Sequence, residues 1–131
     1  MTAHHDIDHD LKLITTFWDS NIADNKLIDA LNNYQKEIKS QEEMYSYNEI
    51  VDLSCVSSMQ LSVDEIIKLA KIASGSDSTT NKTKAALVVS SNIVFSFGMI
   101  YKGYRKLISK SNKEVNVFKN QAEALAWINK E

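Results

Sequence analysis

The chain contains no proline, one cysteine and three glycines in 131 residues. Without proline, chain reversals fall to Gly, Ser, Asn and Asp, whose side chains or bare backbone tolerate tight turns. The single thiol, Cys55, excludes an internal disulfide and points to a reducing, cytoplasmic setting. No Lys, Arg or His lies within several residues of Cys55 to stabilise a thiolate, so it reads as a small, half-buried structural residue. Long apolar runs are also missing: nothing approaches the roughly 20 residues that cross a bilayer. Residues 1–10 are polar and acidic, unlike the basic start and apolar centre of a signal peptide. Charge of one sign is not in excess. The 15 basic residues are scattered and the net charge is −2, which argues against nucleic acid as a partner. No histidine follows His9, so a Cys–His or Ser–His–Asp site would need the amino-terminal segment folded across the remainder of the chain.

What is present is the composition of one globular domain over residues 1–131, with 44% hydrophobic and 24% charged residues. Residues 7–9 and 11–18 read as two strands joined by a tight antiparallel turn near Asp10, with Leu11, Leu13, Thr15 and Phe17 on one face. Asp24 or Asn25 can cap a helix that runs to about residue 39. Residues 49–53 form a compact apolar strand. Ser62-Val63-Asp64-Glu65 is a capping box, opening a helix with Val63, Ile66, Ile67, Ala70 and Ala73 inward. Residues 74–82 make a polar surface loop. The last 48 residues are the most regular: an unbroken apolar strand at 84–91, a helix at 93–109, an alternating strand at 113–118 with Val115 and Val117 on one face, and a short helix at 121–129. The order β-β-α-β-α-β-α-β-α implies an α/β fold, a single mixed and mainly parallel sheet of four to five strands covered by helices, with right-handed crossovers.

In that order three segments stand out. They are Val51-Asp52-Leu53-Ser54 followed by Leu61-Ser62-Val63-Asp64-Glu65-Ile66; Ala85-Ala86-Leu87-Val88-Val89-Ser90-Ser91 with Phe97-Gly98-Met99 and Tyr101; and Val117-Phe118 with Ala122-Glu123-Ala124-Leu125-Ala126-Trp127. Together they resemble the SpoIIAA-like proteins of the STAS/SEC14 (CRAL-TRIO-like) group over roughly residues 47–130. The resemblance implies a small module without catalytic activity and without a cofactor, acting through a protein partner. In the sporulation members, partner binding is switched by phosphorylation of a serine in an Asp-Ser-Ser-Gly motif. Ser62 falls on that position as a possible phosphoacceptor, but the matching residues are Gln60-Leu61-Ser62-Val63, so the rest of the motif is gone.

Candidate sites follow from chemistry and position. Ser57 and Ser58 come after one central strand and Ser90, Ser91 and Asn92 after the next, where the carboxyl ends of parallel strands usually form a ligand crevice. The plain alternative is that these residues cap helices and turn loops. Ser62 is either a phosphoacceptor or simply the cap paired with Glu65. His4, His5 and His9 with Asp6, Asp8 and Asp10 could gather a divalent ion, adventitiously more than physiologically, and no resident metal is expected. On the helix at 93–109, Ile93, Phe97, Ile100, Tyr101, Tyr104 and Ile108 make the expected core face. Phe95 and Met99 project the other way, above Lys102, Lys106 and Lys110. An apolar spot there suggests a partner interface, a homodimer included, or the lip of a cavity for a small apolar, lipid-like molecule. The terminal helix should dock through Leu125 and a largely buried Trp127. No paired acid and base can be placed together, so an enzyme is the least expected class.

Overall fold

The computed structural model describes residues 3–18, 24–37, 42–75, 81–108 and 112–130, with side chains at all of these except 24–26, 42 and 108. The chain opens on β1 (Ala3–Asp8) and β2 (Leu13–Trp18), antiparallel with Ala3 opposite Trp18 and Asp8 opposite Leu13. Asp8 makes the reversal. Its Oδ1 accepts the backbone N–H groups of Asp10 and Leu11, each at 3.0 Å, and Lys12 takes a left-handed φ of 53°. The reversal consumes Leu11, which is exposed, so the second strand starts later than expected and the first starts earlier. The expected face is also exchanged: Ile14, Thr16 and Trp18 enter the main layer, while Leu13, Thr15 and Phe17 alternate to the other side.

A helix, a short 3-10 turn and three strand–helix units follow. They are α1 (Asp24–Glu37), a 3-10 turn (Glu42–Ser46) that sequence periodicity did not anticipate, β3 (Asn48–Leu53), α2 (Val63–Ser74), β4 (Thr83–Val89), α3 (Asn92–Ile108), β5 (Lys113–Phe118) and α4 (Gln121–Ile128). Among the described residues this makes an α/β fold with one mixed sheet of five strands, in the order β1-β2-β3-β4-β5, and four α-helices. Strands β2 to β5 run parallel. When successive parallel strands add in one direction, crossovers of one hand place every helix on one face. Accordingly, side chains of α1, α2 and α3 share one face of the sheet with Trp18, Leu53, Leu87 and Val117, and α4 packs alone on the other. The expected cap of α1 at Asp24 or Asn25, its extension to 39, and most of the loop at 74–82 lie outside what is described.

Local chemistry sets each helix. Ser62 Oγ accepts the Glu65 N–H at 3.2 Å and Glu65 Oε1 accepts the Ser62 N–H at 3.0 Å, the reciprocal pair of a capping box. Ile66, Leu69 and Ala70, at i, i+3 and i+4, are the buried stripe of α2, whereas Val63 is exposed. In α3 the expected inward face is rotated. Val94, Phe97, Gly98, Tyr101 and Arg105 look toward the sheet, and Ile93 and Ile100 are exposed at 57% and 38%. Gly98 fits the rotation: a Cβ there would stand 3.3 Å from both Cγ methyls of Val117, so any larger residue would need Val117 or the helix to give by a few tenths of an ångström.

On the opposite face, α4 is capped by Asn120, whose Oδ1 accepts the Glu123 N–H at 2.8 Å. Ala124 and Ile128 are its buried residues, seated against Ile50, Ala86 and Val88. Trp127 is only partly buried, contrary to the sequence expectation. Ala124 and Ile128, four positions apart, take the buried stripe of the short helix, so Trp127 falls beside it. The Trp127 ring lies 5.4 Å from the Phe118 ring and 5.2 Å from Lys84 Nζ. Lys84 Nζ also donates to the carbonyls of Trp127, at 2.7 Å, and Lys130, fastening the end of the chain.

Candidate functional site

A cavity of about 180 Å³ lies between the sheet and the three crossover helices. Its walls are apolar. The sheet contributes Trp18, Val51, Leu53, Ala85 and Leu87, and the helices contribute Leu27, Ala30, Leu31, Ile66, Leu69, Val94 and Phe97. Small residues from separate elements, Ala3, Ala30, Ala73 and Ala85, interrupt the larger side chains of its lining.

One end of the cavity is polar. Glu49, the second residue of β3, has the same inward parity as Val51 and Leu53, and Lys113 opens β5 with the parity of Val115 and Val117. Their side chains meet at 2.6 Å, Lys113 with 3% of its side chain exposed. Tyr34, near the end of α1, donates its hydroxyl to Glu49 Oε1 at 2.7 Å. Burial and the adjacent carboxylate push the Tyr34 hydroxyl far above its ordinary pKa, so it stays protonated. His5 lies with its ring 5.0 Å from that of Tyr34 and shares a hydrogen bond of 2.9 Å between Nδ1 and Thr16 Oγ1. Desolvation lowers the His5 pKa, against the pull of Glu37, so its neutral form is favoured. Gln35, which lines the same cavity, donates Nε2 to the Ile72 carbonyl at the end of α2 (3.1 Å). Arg105, in the last turn of α3, is 3% exposed and lines the cavity too.

Glu49, Lys113, Tyr34, Gln35 and Arg105 lie toward the amino ends of the parallel strands or the carboxyl ends of the helices, the edge opposite to the one expected from the sequence, with His5 and Thr16 at mid-strand. At the expected edge, Ser90 Oγ donates to the Ser54 carbonyl at 2.6 Å, tying the β3 and β4 exits together. Ser91 Oγ accepts the Val94 N–H, and Asn92 Oδ1 accepts from Lys119 Nζ, each at 3.3 Å. These contacts start α3 and fasten it to β5. Ser57 and Ser58 are exposed nearby, as is Cys55, which was expected half-buried.

Phe95 is part-buried at the margin of the main core, under Lys119 Nζ at 5.2 Å, and only Met99 of the pair is exposed. Lys102 reaches Asn116 Oδ1 at 3.0 Å. Ser62 is fully engaged in its cap: besides accepting from the Glu65 N–H, its hydroxyl donates to Glu65 Oε1 at 2.9 Å. A phosphate at that oxygen would face the Glu65 carboxylate. None of Ser57, Ser58, Ser62, Ser90, Ser91, Asn92, Phe95 or Met99 lines the cavity. The amino-terminal cluster is split by strand alternation. His5 points inward, His4, Asp6 and Asp8 outward, and His9 Nδ1 hydrogen-bonds the Tyr47 hydroxyl at 2.7 Å. Among the described residues no three His, Cys, Asp or Glu gather as a metal site, and no helix is long and apolar enough to cross a membrane.

The chain matches no family model, no curated protein and no solved structure. Function therefore has to be read from the cavity itself. Its polar end is consistent with parity, since Glu49, Arg105 and Lys113 each share a face with apolar neighbours two, or three to four, positions away, but Asp52 and Lys84 do so as well.

Proposed function

We propose that the chain is a non-catalytic binding module of SpoIIAA-like type whose cavity takes up a small apolar molecule. The observation that carries this reading is the cavity of about 180 Å³ lined by apolar side chains of the sheet and three helices. A cavity of roughly 150 Å³ in a well-packed protein is enough to admit benzene, whereas drug-sized ligands take roughly 300–1,000 Å³. The ligand is accordingly one ring or one short chain, not a membrane lipid. The order of elements is compatible with the SpoIIAA-like relationship. The non-catalytic part follows what the SpoIIAA-like resemblance implies.

Native mass spectrometry of freshly purified protein tests the reading, with extraction and identification of any bound species. A co-purifying molecule of about ten heavy atoms is expected, or, after extraction, saturable uptake of benzene or indole by the empty protein. Ala30→Leu, which fills the cavity, should abolish both and leave the fold intact. Absence of uptake by the wild-type protein overturns the reading.

A second reading, a protein-interaction module, has its own observation. Ile93, Ile100 and Leu107 recur every seven residues on α3 and are all exposed, the spacing of a helix seam that packs on another helix. Light scattering of wild type and Ile100→Lys tests it. A dimer that the variant dissociates supports this reading, and a wild-type monomer at high concentration removes its homodimeric form.

A further inference from the structure

Resting on the cavity reading, we infer that the bound molecule is a small carboxylic acid, with its apolar body among the aliphatic walls and its carboxylate at the end formed by Arg105 and Lys113.

The inference comes from the way donors and acceptors are distributed around the cavity. At the polar end the lining side chains carry two cations, Arg105 and Lys113, and one carboxylate, Glu49. That carboxylate already accepts from Lys113 and Tyr34. An ammonium has three donor protons and a guanidinium five, in a planar fork matched to a carboxylate. Arg105 has further contacts within the fold, yet its buried Nε and Nη1 have no hydrogen-bond partner among the described residues. Among the described lining side chains Glu49 is the one carboxylate, so this end is richer in donors than in anionic acceptors. The other polar groups add no negative charge, because His5 is favoured neutral and Tyr34 keeps its proton. A ligand that brings two acceptor oxygens and one negative charge complements this end. A cationic head would add donors to donors, and a neutral head could accept a hydrogen bond but would bring no charge to balance the two cations.

Size narrows the class. About 180 Å³ holds a body of one ring or a short aliphatic chain, and a carboxylate is the smallest organic anion that presents a bidentate edge to arginine. A competing account exists in the same geometry: the carboxyl ends of helices favour nearby cations whether or not an anion is bound. Arg105, in the last turn of α3, would then serve its own helix, and the ligand would be neutral.

The two accounts separate with an isosteric pair. Phenylacetate and 2-phenylethanol share a body and differ in charge, and their binding to the full chain can be measured by calorimetry and by shifts of backbone amide resonances. The inference expects phenylacetate to bind at least tenfold more tightly than the alcohol at pH 8. Arg105→Met should remove that preference by weakening phenylacetate far more than it weakens the alcohol. Arg105→Lys, which keeps charge without the fork, should retain part of it. The comparison on wild-type protein decides even if Arg105→Met fails to fold. Equal or tighter binding of the alcohol overturns the acid assignment and leaves the cavity reading standing. Binding of neither compound, together with no uptake of benzene, overturns both.

Discussion

Lys113 Nζ stands 2.6 Å from Glu49 Oε2, joining the first residue of β5 to the second of β3 across the whole width of β4. The intervening positions are Ala85, opposite Glu49, and Thr83, opposite Lys113. Their small size lets the long lysine cross. Removing one partner leaves the other as an uncompensated charge in a mostly buried place, which costs about 3 kcal/mol. Lys113→Met and Glu49→Gln should each lower stability by about that much in urea unfolding. The double variant should lose clearly less than the sum, since the glutamine side-chain carbonyl can still accept from Tyr34. Strictly additive losses would show that the pair contributes no coupling.

Acid should weaken the fold through His5. Its pKa is lowered in the folded protein, chiefly by desolvation, so the unfolded chain binds the proton more readily. The contribution of His5 is therefore fully present above about pH 6.5 and is lost as pH falls through that value toward the lowered folded pKa. Urea midpoints of wild type and His5→Gln, compared at pH 8 and at pH 5.5, should converge on the acid side because the variant escapes this loss. A constant difference would exclude His5 as the source.

The sequence carried the fold further than it carried the site. Strand β5 was legible because Lys113–Phe118 alternates cleanly and both Val115 and Val117 are buried. The capping box at Ser62 was legible because it is purely local. Helix α3 shows where local pattern stops. Its apolar residues nearly encircle the helix, so periodicity alone offered two faces, and the one that packs inward brings Gly98 against Val117, a long-range contact. The cavity was illegible for a related reason. Small residues on separate elements interrupt its lining, and no spacing within one segment reports a void. The polar end looked like ordinary surface, since Glu49 and Lys113 each stand near the start of a strand, where charged residues are common.

The two glycines of α3 should answer differently to alanine. Around Gly103 a Cβ would meet nothing within 4 Å, so Gly103→Ala should stabilise the protein by about 0.5–1 kcal/mol through reduced freedom of the unfolded chain and better helix propensity. At Gly98 the same gain is opposed by contacts of 3.3 Å with Val117. Gly98→Ala should be neutral or destabilising by about 1 kcal/mol. Thermal melts of both variants check this, and a stabilised Gly98→Ala would mean that β5 yields to α3 at that contact.

Anchoring of α4 should depend on Ile128 more than on Trp127. Ile128 is buried and Trp127 lies at the side of the helix with Phe118 and Lys84 as neighbours. Ile128→Ala should cost about 2–4 kcal/mol. Trp127→Ala should cost about 1–2 kcal/mol, less than a fully buried aromatic residue would. Equal losses in chemical denaturation would mean that the indole carries more of the docking than its position implies.

The chain's two tryptophans sit on opposite sides of one sheet: Trp18 in the wall of the cavity, Trp127 on the far face beside the Lys84 ammonium. The molecule therefore has a separate optical reporter for each layer. With Trp127 replaced by phenylalanine, the remaining emission follows the cavity and whatever enters it. With Trp18 replaced instead, the emission follows detachment of the terminal helix. If the two signals move apart during unfolding, the sheet is shedding its two coverings one at a time.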